Sequence, residues 1–166
     1  MLPAYLPNPM AALLGGGTPI DFGKNYSDGH RIFGDGKTWR GFFLGVLGGI
    51  AVGLLEIWLS GNSAFSFLPV HTAESILLLS VGALLGDLVK SFVKRRMGKE
   101  RGSKWPIADM YDLVAGSLIL LLLFDPGWLF ANMTVWIFLA ILIITPILHR
   151  SVNIIGYLIK VKEVPW

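Results

Sequence analysis

At 166 residues the chain has the length of one domain. Hydrophobic residues make up 54% of it and charged residues 15%, against about 25% charged in soluble domains, which excludes an ordinary water-soluble core. There is no Cys, so disulfides, thiolate metal centres and cysteine nucleophiles are excluded, and His30, His71 and His149 do not stand at metal-ligand spacing. Any metal would be bound through oxygen, as Mg²⁺ is.

Met1–Leu14 is apolar but interrupted by Pro3, Pro7 and Pro9, and it falls short of the roughly 20 residues that cross a bilayer. It reads as a short or truncated first span, and without a basic leader segment it does not read as a signal peptide. Gly15, Gly16 and Gly17 end it and begin a polar loop over residues 15–40, a length that marks functional or disordered loops. Residues 41–59 form the first clear span. Gly41, Gly45, Gly49 and Gly53 recur every four residues in it, a spacing that lets a second helix approach closely in lipid. Glu56, near its far end, reads as an interfacial carboxylate.

Ser60–Thr72 is a short polar connection, and residues 73–92 form the next span. Asp87, Ser91 and Lys94 share one face of it, with Lys90 beside that face. A basic loop covers residues 93–109. A further span, 110–124, follows Asp109 and contains Asp112, which lies on the same helical face as Asp109. Asp125-Pro126-Gly127 reads as a tight turn. Residues 128–148 read as the last span, kinked or ended by Pro146, and 149–166 as a basic, amphipathic tail. The expected architecture is a single all-α membrane domain over 1–166, with about five transmembrane helices and two loops forming a polar face.

The Lys and Arg residues fall into three groups: four in 18–40, seven in 86–112 and three in the tail, which together are all 14. The alternate connections hold none. The positive-inside rule therefore puts both loops and the C-terminus on the cytoplasmic side of the cell membrane.

Gly86–Asp112 is the stretch with chemical content. Seven cations stand there between Asp87, Asp109 and Asp112. Cations alone serve topology or bind anionic headgroups, and aspartates beside lysines serve as ion pairs. Ionisable residues at the edge of a span are by default functional candidates, however. Carboxylates that hold Mg²⁺, beside cations that neutralise phosphate, suit transfer at phosphorus. Gly34-Asp35-Gly36-Lys37-Thr38 is not a P-loop, because Arg31 stands where that motif needs glycine and no strand precedes it.

The pattern Gly86-Asp87-Leu88, Ser91, Lys94-Arg95, then Pro106, Asp109 and Asp112 resembles the signature of the phosphatidate cytidylyltransferase (CDP-diacylglycerol synthase) family. Gly15–Asp21 and Asp28–Gly41 resemble its archaeal branch, the CDP-archaeol synthases. Two departures from the bacterial pattern stand out: Lys99-Glu100 replaces Lys-Asp, and a glycine–histidine segment is absent. The resemblance implies that CTP and 2,3-bis-O-(geranylgeranyl)-sn-glycerol 1-phosphate are converted to the CDP-lipid and pyrophosphate, with no nucleic acid involved. The compatible residue roles are as follows. Asp87, Asp109 and Asp112 hold Mg²⁺, with Ser91 as a further oxygen ligand. Lys94 and Arg95 stabilise departing pyrophosphate. Lys37, Thr38 and Arg40 contact the nucleotide or the lipid phosphate, and Lys99 is a further nucleotide- or phosphate-binding residue. Gly15, Gly16, Gly17, Thr18 and Asp21 shape the cytosine and ribose pocket. The prenyl chains lie between apolar spans. A CDP-alcohol phosphotransferase is the rival enzyme, but its motif fails where His30-Arg31 follows Asp28-Gly29. A non-enzymatic adaptor or cation channel leaves the Asp87, Ser91 and Lys94 stripe unexplained.

Overall fold

The computed structural model describes residues 1–62, 69–162 and 164–165, so part of the Ser60–Thr72 connection lies outside the described residues. Among the described residues seven helices follow in order: α1 (Leu2–Tyr5), α2 (Pro7–Leu14), α3 (Trp39–Ser60), α4 (Ala73–Arg96), α5 (Pro106–Phe124), α6 (Pro126–Asn132) and α7 (Val135–Leu158). Four of them, α3, α4, α5 and α7, are long and apolar enough to cross a membrane. Among the described residues there is no strand, only two isolated backbone bridges in the first loop. The chain is an all-helical, multi-pass membrane protein.

Helix starts follow local chemistry. The Thr38 hydroxyl accepts from the Gly41 N–H, Thr134 does the same for Ile137, and Thr72 and Ser75 form a reciprocal capping box. Pro106 opens α5 at a position where its missing N–H costs nothing. Asp125-Pro126-Gly127, expected as a turn, instead begins α6, because the Asp125 carboxylate accepts from the Trp128 N–H.

The glycine stripe of α3 does what its spacing implies, but its partner is the proline-rich N-terminal segment. A Cβ on Gly45 would lie 2.7 Å from the Pro7 carbonyl oxygen, one on Gly49 2.6 Å from that of Pro3, and one on Gly41 3.1 Å from that of Ala11. Backbone therefore lies directly on backbone along the stripe. In this way α1 and α2 run antiparallel to the first half of α3, although neither is a full span, and Gly53 at the end of the stripe takes Ile76 of α4 instead. At the far end Glu56 is buried and not interfacial: His71 Nε2 lies 3.3 Å from its carboxylate, and the His71 ring stacks on Trp128 at 5.2 Å. An apolar helix leaves a carboxylate two options, water or a buried partner, and the segment before α4 supplies the partner.

Several boundaries move, and the last span begins at Val135 and not at 128, because residues 128–132 belong to α6. The basic connection is 97–105, not 93–109, because α4 continues through Lys94, Arg95 and Arg96; cations in a last turn favour the C-terminal dipole. Likewise α7 does not end at Pro146 but runs to Leu158, so most of the expected tail is helix. Proline at 146 deprives the Leu142 carbonyl of its usual helical donor, and the Tyr111 hydroxyl of α5 donates to that oxygen at 2.7 Å. One hydrogen bond thus carries α7 through its proline and ties it to α5.

The core lies where α4 and α5 cross. Leu79, Ala83, Leu113, Val114 and Leu121 are buried there, with Ala4, Leu129 and Ile141 packed on them. The crossing is close because it is built from glycine. A Cβ on Gly82 would meet the Ser117 Cα at 2.6 Å, and one on Gly116 would meet the Gly86 Cα at 2.8 Å.

Candidate functional site

Gly86 and Gly116 set the site by setting that crossing. They bring the turn of α4 holding Asp87 and Lys90 against the first turns of α5, which hold Asp109 and Asp112. Lys90 stands at the centre: its Nζ lies 3.0 Å from Asp87, 2.6 Å from Asp112 and 3.5 Å from Asp109. Lys37, from the first loop, pairs with the other oxygen of Asp87, and Lys94 pairs with Asp109 at 2.6 Å. The three expected carboxylates are therefore brought together, with Lys37 and Lys94 on their flanks.

Backbone donors fix the carboxylates further. Asp109 accepts from the Trp105 N–H at 2.8 Å and Asp112 from the Leu113 N–H at 2.6 Å. Asp112 Oδ2 is buried without a hydrogen bond of good geometry, although the Lys90 ammonium is close by. A buried carboxylate oxygen in that condition has spare capacity for a cation.

The cluster forms the polar end of a cavity of about 350 Å³. Gly36, Lys37 and Thr38 line one side of it, and Leu84, Leu88 and Leu113 continue the walls of α4 and α5. Tyr5, Leu2 and Leu6 close it from the N-terminal segment, and α7 contributes Leu148, His149, Val152 and Asn153. One end of the chamber is thus charged and the other apolar.

The remaining expected residues are placed differently. Ser91 is buried and donates to the Asp87 backbone carbonyl at 2.8 Å, so its hydroxyl serves the helix. Thr38 lines the cavity, but its oxygen caps α3. Arg95 donates to the carbonyls of Phe33 and Lys99, which ties both loops to the end of α4. Lys99 enters that arrangement through its backbone oxygen. Gly15, Gly16, Gly17 and Thr18 stand outside the cavity lining, as does the exposed Arg40. Gly16 and Gly17 have φ of +99° and +78°, which explains the glycines as a turn requirement.

Asp21 is the organiser of the first loop. Its buried carboxylate accepts from the N–H groups of Gly23, Phe33 and Gly34 and pairs with Arg31 at 2.6 Å. Burial pushes that carboxyl up, but the Arg31 guanidinium and the three backbone donors outweigh it and hold it well below the usual carboxylate range. Arg96 then pins the loop to α4. It pairs with Asp28 at 3.1 Å, donates to the carbonyls of His30 and Arg31, and lies over the Tyr26 ring at 4.7 Å. The basic connection is held as well, since Lys94 donates to the Ser103 carbonyl at 2.8 Å.

Sequence reasoning missed Lys90 as the centre of the site, and it missed His149, Asn153 and Lys162 as lining. Signals existed for both. Asp87 and Lys90 stand three apart on one helix, and His149 and Asn153 stand four apart just after a long apolar run.

Fold and site together define a polytopic helical membrane protein with a charged chamber opening beside apolar helices. The family model described as CarS-like CDP-archaeol synthase matches residues 1–166, and the chain belongs to that family. Similar proteins named CDP-archaeol synthase come from Methanosphaerula palustris, 62% identical, and Methanoregula boonei, 61% identical, each with both chains fully covered. That of Methanosarcina barkeri is 50% identical over 175 aligned positions, again with full coverage of both. A solved structure described as an intramembrane enzyme for archaeal membrane lipid biosynthesis is 34% identical, with a TM-score of 0.75 over 93% of this chain and 90% of that one.

Proposed function

We propose that the chain transfers the cytidylyl group of CTP to 2,3-bis-O-(geranylgeranyl)-sn-glycerol 1-phosphate, giving unsaturated CDP-archaeol and pyrophosphate. The observation that carries this reading is the gathering of Asp87, Asp109 and Asp112 at one end of a chamber whose other walls are apolar, in a chain that matches the family along its whole length. A soluble triphosphate needs the charged end and a prenyl lipid needs the apolar walls.

The lipid phosphate oxygen attacks the α-phosphorus of CTP, the bond from that phosphorus to the bridging oxygen breaks, and the electron pair leaves with pyrophosphate. The attacking phosphate is anionic at neutral pH, so no side chain has to remove a proton. Lys37, Lys90 and Lys94 neutralise phosphate oxygens as they exchange their carboxylate partners for substrate. Arg95 and Asp21 act one step removed, by holding the loop that presents Lys37.

The donor set has the oxygen chemistry that suits a hard divalent cation, and among the described residues the three carboxylates are spread around Lys90 and do not form a ready-made metal cluster. Three carboxylates converge on one point that a cationic ammonium now occupies, and the Asp112 oxygen there has spare capacity. Asp87, Asp109 and Asp112 would hold Mg²⁺. Bound there, it would supply charge stabilisation for the phosphate oxygens of the nucleotide. The two loops and the end of α7 belong on the cytoplasmic face, where CTP is available; the distribution of all 14 Lys and Arg residues supports that orientation.

The test is release of pyrophosphate from labelled CTP by the purified protein with Mg²⁺, with and without the lipid phosphate. Release that requires the lipid phosphate is expected. No release with both substrates present would overturn the proposal.

A further inference from the structure

The end of α7 contains a cation site that the acid cluster does not explain. After Leu158 the chain turns back on itself: Lys160 adopts φ +60°, and the N–H groups of Val161 and Lys162 donate to the Gly156 carbonyl at 2.9 and 3.0 Å. The stem of Lys162 then lies over Gly156, where a Cβ would meet its Cγ at 3.4 Å. Its ammonium donates to Asn153 Oδ1 and lines the cavity. Asn153 is buried, and its Nδ2 lies 3.1–3.2 Å from the ring nitrogens of His149. Three polar residues therefore line the chamber from the α7 side, and each is placed by the next.

The charge pattern identifies what is missing. Lys37, Lys90 and Lys94 each face a carboxylate. Lys162 has a neutral amide oxygen as its side-chain partner among the described residues. Burial draws its pKa down from the ordinary lysine value. A sheltered ammonium whose hydrogen-bond partner is neutral, with Asp87 and Asp109 acting on it only through space, leaves room for an anion to bind it directly. The neighbouring wall indicates which anion. His149 and Asn153 share their helix face with Leu148 and Val152, and all four line the chamber. The face continues along α7 to Thr145, whose hydroxyl shares a hydrogen bond of 2.7 Å with the Tyr5 hydroxyl. A headgroup bound at Lys162 would have its chains directed along the apolar part of that wall. A nucleotide has no use for such a wall.

We infer that Lys162, positioned by Asn153 and His149, forms the binding site for the phosphate monoester of the lipid acceptor on the α7 wall of the chamber. The site faces the three aspartates and their lysines across the same chamber and shares no hydrogen bond with them among the described residues. The inference rests on the proposed cytidylyl transfer to a lipid phosphate, and it assigns that acceptor a definite place. Lys162 is thus a binding residue for the acceptor, and Asn153 is a positioning residue that acts through it.

The experiment measures equilibrium binding of the prenyl-ether glycerol phosphate, and of the same lipid as the free alcohol, to purified protein in detergent without CTP or Mg²⁺. Initial rates over a grid of CTP and lipid-phosphate concentrations follow. The wild type should prefer the phosphate over the alcohol. Lys162→Gln should lose that preference and raise the KM for lipid phosphate by about tenfold or more, the loss expected for one charge-assisted contact. The KM for CTP should stay within about twofold. Lys162→Arg should recover most of the preference, and Asn153→Leu should weaken it while leaving Lys162 charged.

The inference is overturned if Lys162→Gln keeps the wild-type preference. A KM that rises for CTP instead would also overturn it, because the phosphate would then belong to the nucleotide. An Lys162→Arg variant as impaired as Lys162→Gln would mean a packing role and overturn it too. If the wild type binds the lipid phosphate but forms no CDP-lipid, the proposed reaction fails, and the binding comparison still decides the role of Lys162.

Discussion

Gly86→Ala tests the claim that a helix crossing sets the site. A Cβ at this position would sit 2.9 Å from the Asp112 carbonyl carbon and closer still to its oxygen. Ordinary carbon–carbon contact is about 3.5–4.0 Å, so α5 would have to retreat by roughly 1 Å at the level of Asp112. Backbone cannot rotate away as a side chain can. Forced overpacking of this kind costs about 1–3 kcal/mol. The functional loss should be larger in proportion, because displacing a reacting group by 1 Å costs on the order of 10²-fold in rate. Asp87 and Lys90 move with α4, and Asp109 and Asp112 with α5, so the displacement falls between the groups that must act together. The measurement pairs a thermal melt in detergent with kcat for CDP-lipid formation. The expected result is a folded protein with a modestly lowered Tm and activity reduced by about two orders of magnitude. Wild-type kcat in Gly86→Ala would refute the reasoning, since the crossing could then widen without consequence.

Four further outcomes follow from the geometry. Lys90→Met strips the buried Asp112 of its cation and leaves half-buried Asp87 and Asp109 facing it, a loss of up to about 3–5 kcal/mol when a buried ion group is broken. Its Tm should fall in EDTA and recover with Mg²⁺; an equal fall with and without the metal would contradict the shared position. Asp112→Asn keeps the shape of the cluster but removes one charge, so CDP-lipid formation should fall at least about 10²-fold with the fold intact, and near-normal turnover would sink the metal assignment. Asp21 has a depressed folded-state pKa, so its contribution is present above the unfolded value near 3.9 and is lost as pH falls through the folded value. Hydrogen exchange at Phe33 and Gly34 should therefore stay protected from pH 8 down to about 4 in the wild type and be fast throughout that range in Asp21→Asn. A reporter fused after Gly61 should lie across the membrane from one fused after Gly98, and a shared side would overturn the orientation.

Much of the fold was legible because a membrane allows few solutions. Apolar runs long enough to span had to be helices, and cations confined to alternate connections supplied the orientation proposed for them. The α3 stripe was readable as a close-packing face, and the family resemblance drawn from Gly86–Asp112 and the loop motifs is borne out by the whole-chain family match. The ends of elements were less legible. Pro146 is a helix breaker in isolation, and only the Tyr111 hydroxyl on a neighbouring helix lets α7 continue through it. Glu56 looked interfacial because its partner, His71, is separated from it by a connection and carries no spacing signal.

Gly86–Asp112 shows where the division falls. Helical periodicity determined that Asp87 shares a face with Lys94, and that Asp109 shares one with Asp112, because side-chain direction repeats with the backbone. Periodicity does not say which face of one helix meets which face of another. That depends on where backbones can touch, and Gly82, Gly86 and Gly116 settle it by letting α4 and α5 cross with no side chain between them. The crossing makes Lys90 the centre of three carboxylates, a role its place beside the stripe did not reveal. The same holds for Lys162, which in one dimension is one of three cations in a tail. Its place in the chamber comes from a reversal after α7 and from Gly156 leaving room for its stem. The chain alone determined which groups stand at the polar face, and the packing of backbone on glycine decided which of them meet.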